Sequence, residues 1–236
     1  MPALDAPRWD TPRDLASLEM HPSGFHGDLH LHELVESLAP WADLFLETGT
    51  NVGSTTGHVA RRWPSLEAHT CEPHLDAWAA ARDHLSGFES VTVHHEASPA
   101  FLTDLLRAHP EMTSRTPLCW LDAHAPGVAW PILDEMRLLS ERFERAMVLV
   151  DDCRVPGHTQ FGFDAYEGVA CEPSYVLPSV MQPDARVVLP TYADRTSSHH
   201  PLRGVMLVHW GVGWSLPEAL RDRFESLARD EAITRR

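Results

Sequence analysis

The fold is decided by the stretch Leu44-Phe45-Leu46-Glu47-Thr48-Gly49-Thr50-Asn51-Val52-Gly53-Ser54-Thr55-Thr56. Apolar residues lead to an acid, a loop with two glycines follows, and hydroxyl residues then begin a helical pattern. This order predicts a strand, a tight turn and the N-terminus of a helix, whose first N–H groups face a ligand. The glycines suit positive φ or close approach of a ligand. The candidate ligand-binding residues of this turn are Glu47, Gly49, Thr50, Asn51, Gly53 and Ser54.

Short apolar segments alternate with amphipathic helical patterns on the C-terminal side of this turn. Strands are expected over residues 66–72, 91–95, 117–122 and 146–151, and helices over 56–63, 75–85, 99–108 and 131–143. Two more strands, over 186–189 and 204–209, precede a charged helix expected from Pro217 to about Ala232. Counting the strand before the first turn, the pattern predicts a Rossmann-like, doubly wound and mostly parallel α/β sheet of seven strands.

Polar residues stand at the end of each of the first five predicted strands. Glu72 ends the second strand, where nucleoside-binding α/β folds carry an acid that accepts hydrogen bonds from ribose hydroxyls. A helix-capping role before Pro73 is the alternative. Ligands of open α/β sheets lie outside the carboxyl ends of the strands. Glu72, Glu96, Ser98 and Asp122 are therefore added to the candidate cofactor-binding residues.

Three aspartates end the fourth and fifth strands, which should be neighbours beside the first. Asp122, Asp151 and Asp152 would repel one another and raise one another's pKa values. A divalent cation removes this repulsion, and an all-oxygen set favours Mg²⁺, Mn²⁺ or Ca²⁺ over zinc. The alternative is that these aspartates cap the following segments and the sheet edge stays hydrated.

The motifs resemble those of known enzyme families. The first turn, with Glu72 following, resembles motifs I and II of class I S-adenosylmethionine-dependent methyltransferases. Leu121-Asp122-Ala123-His124 followed by Val150-Asp151-Asp152 is similar to the metal-dependent sugar O-methyltransferases of macrolide and aminocoumarin antibiotic pathways. The resemblance implies S-adenosylmethionine as cofactor and Mg²⁺ held by the three aspartates. It also implies that His124 is the general base.

A related bacterial methyltransferase-like family shows the same motifs in the same order. Its Glu-Thr-Gly-Thr, Leu-Asp-Ala-His and Asp-Asp-x-x-Val-Pro-Gly motifs correspond here to residues 47–50, 121–124 and 151–157. The resemblance spans roughly residues 28–170 and implies the class I methyltransferase fold, in which the last strand is antiparallel. The first loop departs from that fold's usual pattern in having fewer glycines.

The chain is expected to form one domain with an arm and a lid. Residues 1–27 contain four prolines and predict an N-terminal arm, and residues 28–236 predict a single methyltransferase domain. Residues 152–184 interrupt the alternation with glycines and prolines among aromatic residues. A long loop inside a compact domain is usually functional, so this segment is predicted to be a lid or substrate loop.

Composition restricts the partners and the compartment. The formal net charge is −15, with 19 basic against 34 acidic side chains and no basic run, which argues against nucleic acid and anionic lipid as partners. The four cysteines form no C-x-x-C pair and are expected to be reduced core thiols. There is no membrane-length apolar run and no signal-peptide core, so a cytoplasmic location is expected. Homo-oligomerisation stays open.

The sequence therefore predicts a divalent-metal-dependent O-methyltransferase that acts on a small polar, sugar-like or natural-product acceptor. One alternative is a metal-dependent hydrolase that combines Asp28-Leu29-His30-Leu31-His32 with the strand-end aspartates. The other is a non-catalytic nucleoside-binding protein of the same fold.

Overall fold

The computed structural model describes residues 23–123, 131–194 and 201–235. Its strands are β1 (Leu44–Thr48), β2 (Glu67–Cys71), β3 (Val91–His94), β4 (Pro117–Leu121), β5 (Ala146–Val150), β6 (Ala165–Tyr166), β7 (Val169–Ala170), β8 (Arg186–Pro190), β9 (Met206–Trp210) and β10 (Phe224–Ala228). Eight of them form one sheet in the order β10-β8-β9-β5-β4-β1-β2-β3, and β6 pairs with β7 in a separate hairpin.

The sheet is mostly parallel, as predicted. Strands β1 to β5 pair in parallel, and β9, β8 and β10 follow β5 in antiparallel pairs. Every residue of β1, β4, β5 and β9 is buried. Strands that are buried on both faces read as continuous apolar runs, which explains why these segments were identifiable in the sequence. The order reverses between β1 and β4, and ligand sites of open α/β sheets lie at such a switch.

Helices cover both faces of the sheet. They are α1 (Leu29–Leu38), α2 (Ser54–Arg62), α3 (Leu75–Leu85), α4 (Ser98–Ala108), α5 (Ile132–Arg142), α6 (Pro173–Val176) and α7 (Arg229–Thr234). The α1 helix starts at Asp28, whose carboxylate accepts the backbone N–H groups of His30 and Leu31 at 2.9 and 3.3 Å. None of the helices in the described ranges is long and apolar enough to cross a membrane.

The C-terminal segment differs from the prediction. Instead of one helix from Pro217 to about Ala232, the structure has a 3-10 turn at Glu218–Leu220, strand β10 and the short helix α7. Phe224 and Leu227 bury their side chains while the β10 backbone pairs with β8. The local sequence suits a helix, but pairing with the exposed edge of β8 decides the outcome. The sheet therefore has eight strands where seven were predicted.

The predicted lid is packed against the rest of the domain. Residues 152–184 contain the β6–β7 hairpin and α6, and they bury the apolar side chains of Cys153, Val155, Phe161, Cys171, Val176, Leu177 and Val180. Two backbone hydrogen bonds join this segment to Gly204. The Gly204 carbonyl accepts the Cys153 N–H at 2.7 Å, and the Gly204 N–H donates to the Gly162 carbonyl at 2.8 Å. The substrate-loop role of the segment stays a prediction.

The turn after β1 depends on a glycine. Gly49 has φ of 81°, and the Asp122 carbonyl occupies the space that a Cβ atom would need. Gly157 has nearly the same φ, 79°, but nothing lies within 4 Å of its Cβ position. Substitutions at these two glycines can therefore be compared: both carry the free-energy cost of positive φ, and only the one at Gly49 adds a steric clash with the backbone of Asp122.

We expect Gly49→Ala to reduce the free energy of unfolding by about 2–4 kcal/mol, because it adds a steric clash to the strain of positive φ. Gly157→Ala should cost only about 1–2 kcal/mol, from the strain alone. Urea denaturation of both variants measures the difference. Equal losses would show that the Asp122 backbone moves aside without cost.

Candidate active site

Glu47 is buried at the end of β1 beneath the first turn. Its carboxylate accepts hydrogen bonds from the hydroxyls of Thr56 and Thr70, the latter at 2.6 Å. The N–H groups of Gly49 and Thr50 both donate to the Cys71 carbonyl, at 3.1 and 3.0 Å. These contacts fix the start of the turn against β2.

A cavity of about 240 Å³ opens above this turn, at the carboxyl ends of β1 and β4. Its lining combines the first turn with β4 and with the segment before α1: Gly24, Phe25, His26, Gly27, Glu47, Gly49, Thr50, Asn51, Ser54, Thr55, Trp120 and Asp122. Six of the predicted cofactor-binding residues line it: Glu47, Gly49, Thr50, Asn51, Ser54 and Asp122. Their role in cofactor binding stays a prediction.

The other predicted cofactor-binding residues are not part of the cavity lining. Gly53 has φ of 89° and precedes α2, with its Cβ position against Leu85. Ser98 is buried in the first turn of α4, and its hydroxyl has no hydrogen-bond partner within the described ranges. Glu96 is only partly buried, next to Asp104.

Glu72 supports the turn from the end of β2. One carboxylate oxygen accepts the N–H of Asn51 at 2.9 Å and the other accepts the N–H of His74 at 3.0 Å. Asn51 lines the cavity with φ of 50°. Glu72 therefore holds a cavity residue in its strained conformation. The predicted contact of Glu72 with a ribose stays a prediction.

The sequence reading missed the part of the lining that comes before α1. Residues 24–27 have φ values of 48°, 42°, 57° and 66° in succession, a left-handed conformation that L-residues avoid. Phe25 is buried against Trp120 in an edge contact, with ring centroids 5.1 Å apart. The sequence pattern places these residues in the N-terminal arm, and Gly24 and Gly27 are its signal of a special backbone. Residues 1–22 of the arm lie outside the described ranges.

The paired aspartates after β5 are already bound by other groups of the chain. Asp151 accepts the N–H of Asp152 at 2.7 Å through Oδ1, and its Oδ2 lies 2.7 Å from Nε2 of His26. The carboxylate of Asp152 accepts the Arg203 Nε–H. Nη2 of Arg203 donates to Asp164 at 2.6 Å. A histidine and an arginine thus face these two carboxylates.

The group of possible metal ligands found among the described residues differs from the predicted one. Among the described residues, the ligand atoms of His26, Asp151 and Asp152 lie within 4.8 Å of one another, and Asp122 is outside this group. Mg²⁺ requires octahedral oxygen coordination, and the Arg203 guanidinium on Asp152 repels a cation. The arrangement does not fit the predicted all-oxygen site, so no step of the chemistry is assigned to a metal. The predicted base, His124, lies outside the described residues.

Burial and neighbouring charges shift the protonation of the site. Burial raises the pKa of Glu47 to about 7, against the hydrogen bonds from Thr56 and Thr70, which lower it. Burial and the charges of Asp151 and Asp152 also raise the pKa of Asp122 well above its usual range. Burial lowers the pKa of His26, but the charge and hydrogen bond of Asp151 outweigh it, so the pKa of His26 is raised.

Glu47 should make the stability of the ligand-free protein pH-dependent. Its folded-state pKa of about 7 lies above the usual value of 4.5, so the stabilising protonated form is lost as pH rises through 7. From about pH 5 to about pH 8, the wild type should lose on the order of 2–3 kcal/mol relative to Glu47→Gln, which cannot ionise. Urea denaturation at both pH values measures this, with the exposed Glu141→Gln as control. Parallel pH dependence of wild type and Glu47→Gln would contradict the assignment.

Comparisons with known proteins identify the fold. No protein-family model matches the chain, and a search of curated proteins found no match. One similar structure is the O-methyltransferase TomG from Streptomyces achromogenes, which is involved in tomaymycin synthesis and was solved in complex with SAM. TomG is 21% identical to this chain, the alignment covers 76% of this chain and 77% of TomG, and the TM-score is 0.51. An O-methyltransferase from Bacillus cereus, solved in complex with SAH, is 13% identical, with 82% and 83% covered and a TM-score of 0.51. Together with the sheet order, these similarities confirm the predicted fold, which is that of the class I methyltransferases.

Proposed function

We propose that this protein transfers a methyl group from S-adenosylmethionine to a hydroxyl oxygen of a small polar acceptor. The observation that carries the proposal is the cavity at the carboxyl ends of β1 and β4, lined by the first turn and by Glu47 and Asp122. In this fold ligands bind at that switch of the sheet. The solved structures named above carry S-adenosylmethionine or its demethylated product at 13–21% identity to this chain.

The chemistry of the lining suits the cofactor. S-adenosylmethionine carries a sulfonium and an ammonium group, and the carboxyl groups of Glu47 and Asp122 are the acids in the lining. Phe25 and Trp120 supply apolar and aromatic surface on which an adenine ring can pack. Bound cationic cofactor would favour the ionised form of Glu47 and lower its pKa.

The acceptor side is acidic, which restricts the acceptor. Asp122 lines the cavity, and its pKa is raised first by burial and then by the charges of Asp151 and Asp152. An acceptor with a phosphate or carboxylate near its reacting atom would be repelled there. Neutral hydroxyl groups can instead donate hydrogen bonds to these carboxylates. A sugar or another hydroxylated natural product fits this requirement.

The hydrolase alternative loses its support. Asp28 caps α1 and accepts the Tyr192 hydroxyl at 2.7 Å, so it is part of the scaffold. His30 lies 3.1 Å from Asp194 and 2.9 Å from Arg223. Nε2 of His32 lies 3.3 Å from the Gly24 carbonyl. Among the described residues, the group of possible metal ligands at these aspartates is His26, Asp151 and Asp152, and it does not include His30 or His32.

Cofactor binding is tested first, by titration calorimetry with S-adenosylmethionine and S-adenosylhomocysteine. We expect Glu72→Ala to weaken binding at least tenfold, because it removes charged hydrogen bonds that hold the turn and the predicted ribose contact. The control is Glu89→Ala, an exposed acid in the turn before β3. Unchanged affinity of Glu72→Ala, with the fold intact, would remove Glu72 from the site.

Turnover then separates the enzyme from a binding module. Formation of S-adenosylhomocysteine should be followed with a panel of hydroxylated acceptors, such as methyl glycosides and phenols. Binding of S-adenosylmethionine without turnover of any acceptor would favour the non-catalytic nucleoside-binding protein. Absence of binding would contradict the proposed function itself.

A further inference from the structure

We propose that neutral His26, held by Asp151, accepts the proton from the acceptor hydroxyl, and that hydrogen bonds from His26 and Arg203 to the paired aspartates take the place of the predicted divalent cation. This inference rests on the proposed function for its catalytic part. The arrangement of charges on which it depends can be tested without turnover.

His26 joins the cavity to a buried carboxylate. Its ring lines the cavity, 5.9 Å from the Trp120 ring, and its Nε2 lies 2.7 Å from Oδ2 of Asp151. The His26 side chain is 25% exposed, whereas that of Asp151 is fully buried. A small molecule in this cavity can therefore contact His26.

The backbone that presents His26 is strained. Phe25 and His26 both adopt positive φ between two glycines that do the same. Strain of this kind persists only where surrounding contacts enforce it, and it concentrates at functional sites. Here the contacts come from Phe25, whose buried ring packs on Trp120, His32 and His58. The enforced turn aims His26 at Asp151, which lies 125 positions further along the chain.

Arg203 balances the second aspartate. It bridges Asp152 and Asp164, and the Asp164 N–H also donates to the Asp152 carbonyl at 3.1 Å. The Tyr166 hydroxyl donates to the other oxygen of Asp164 at 2.8 Å. The repulsion between the paired aspartates, which was the reason for predicting a metal, is thus relieved by side chains of the protein itself.

His26 and Asp151 together supply the proton transfer that methylation requires. When Asp151 accepts the Nε2–H of His26, the lone pair of the neutral imidazole is on Nδ1. As the acceptor oxygen bonds to the methyl carbon, the carbon–sulfur bond breaks and its electron pair stays on sulfur. The hydroxyl proton passes to Nδ1, and Asp151 stabilises the imidazolium formed. Charge and atoms balance without a metal.

The arrangement is tested first without any acceptor. ¹⁵N NMR of histidine-labelled protein, with His26→Asn to assign the signal, should show His26 protonated at Nε2, and addition of MgCl₂ should leave the signal unchanged. Titration with MnCl₂, followed by electron paramagnetic resonance, should show no tight site. A tight Mn²⁺ site that is lost in Asp151→Asn, or a His26 signal that shifts with MgCl₂, would overturn the proposal in favour of a metal centre.

Turnover tests the catalytic part. In excess chelator the wild type should keep its activity. His26→Asn should lower kcat, measured at saturating S-adenosylmethionine because His26 lines the cofactor cavity, by roughly 10²–10⁴, the usual contribution of general base catalysis. The exposed His109→Asn is the control. Near-normal kcat of His26→Asn with a large loss in His124→Asn would transfer the role to His124 and refute ours.

Two outcomes need separate treatment. If His26→Asn does not fold, as judged by circular dichroism, Asp151→Asn is the second variant, and it should lower kcat while keeping cofactor affinity. If the wild type binds no S-adenosylmethionine or methylates no acceptor, the proposed function fails and the catalytic role of His26 is withdrawn with it. The NMR and Mn²⁺ measurements still decide the charge arrangement in that case.

Discussion

The burial of negative charge at the carboxyl ends of β1, β4 and β5 is the constraint on which this structure depends. An ionised group taken out of water is strongly destabilising unless hydrogen bonds or opposite charges compensate it. Glu47 is compensated by two hydroxyls, Asp151 by His26 and Asp152 by Arg203. The partners of the acids therefore determine which other segments must fold onto this edge of the sheet.

Those partners come from distant parts of the chain. Thr70 is in β2, His26 precedes α1, and Arg203 lies between β8 and β9. Arg203 also binds Asp164 in the segment predicted to be a lid, which explains why that segment is packed. Satisfying the acids thus links the segment before α1, the packed loop and the connection into β9. The cavity lies where the segment before α1 meets the first turn and β4.

The sequence predicted what depends on local pattern. Buried strands such as β1 and β5 are largely apolar runs. The positive φ of the first turn is predictable because a glycine, Gly49, occupies that position. β10 was missed because pairing with β8 outweighs a local pattern that also suits a helix. His26 was missed because its role comes from one contact with Asp151, and no local rule connects the two. The sequence predicts that Asp151 and Asp152 lie together because they are adjacent in the chain. It does not predict their partners, His26 and Arg203, which are distant in the chain.

A cation that belongs to the chain differs physically from a bound ion. An ion compensates carboxylates only when it is available, and it leaves the apo protein with their repulsion. Arg203 and His26 reach Asp152 and Asp151 as the chain folds, so the compensation is part of the folding free energy. The guanidinium stays charged at any physiological pH, whereas the imidazole can take up and release a proton. The two side chains are therefore suited to different tasks: Arg203 fixes the charge of the site, and His26 can change it.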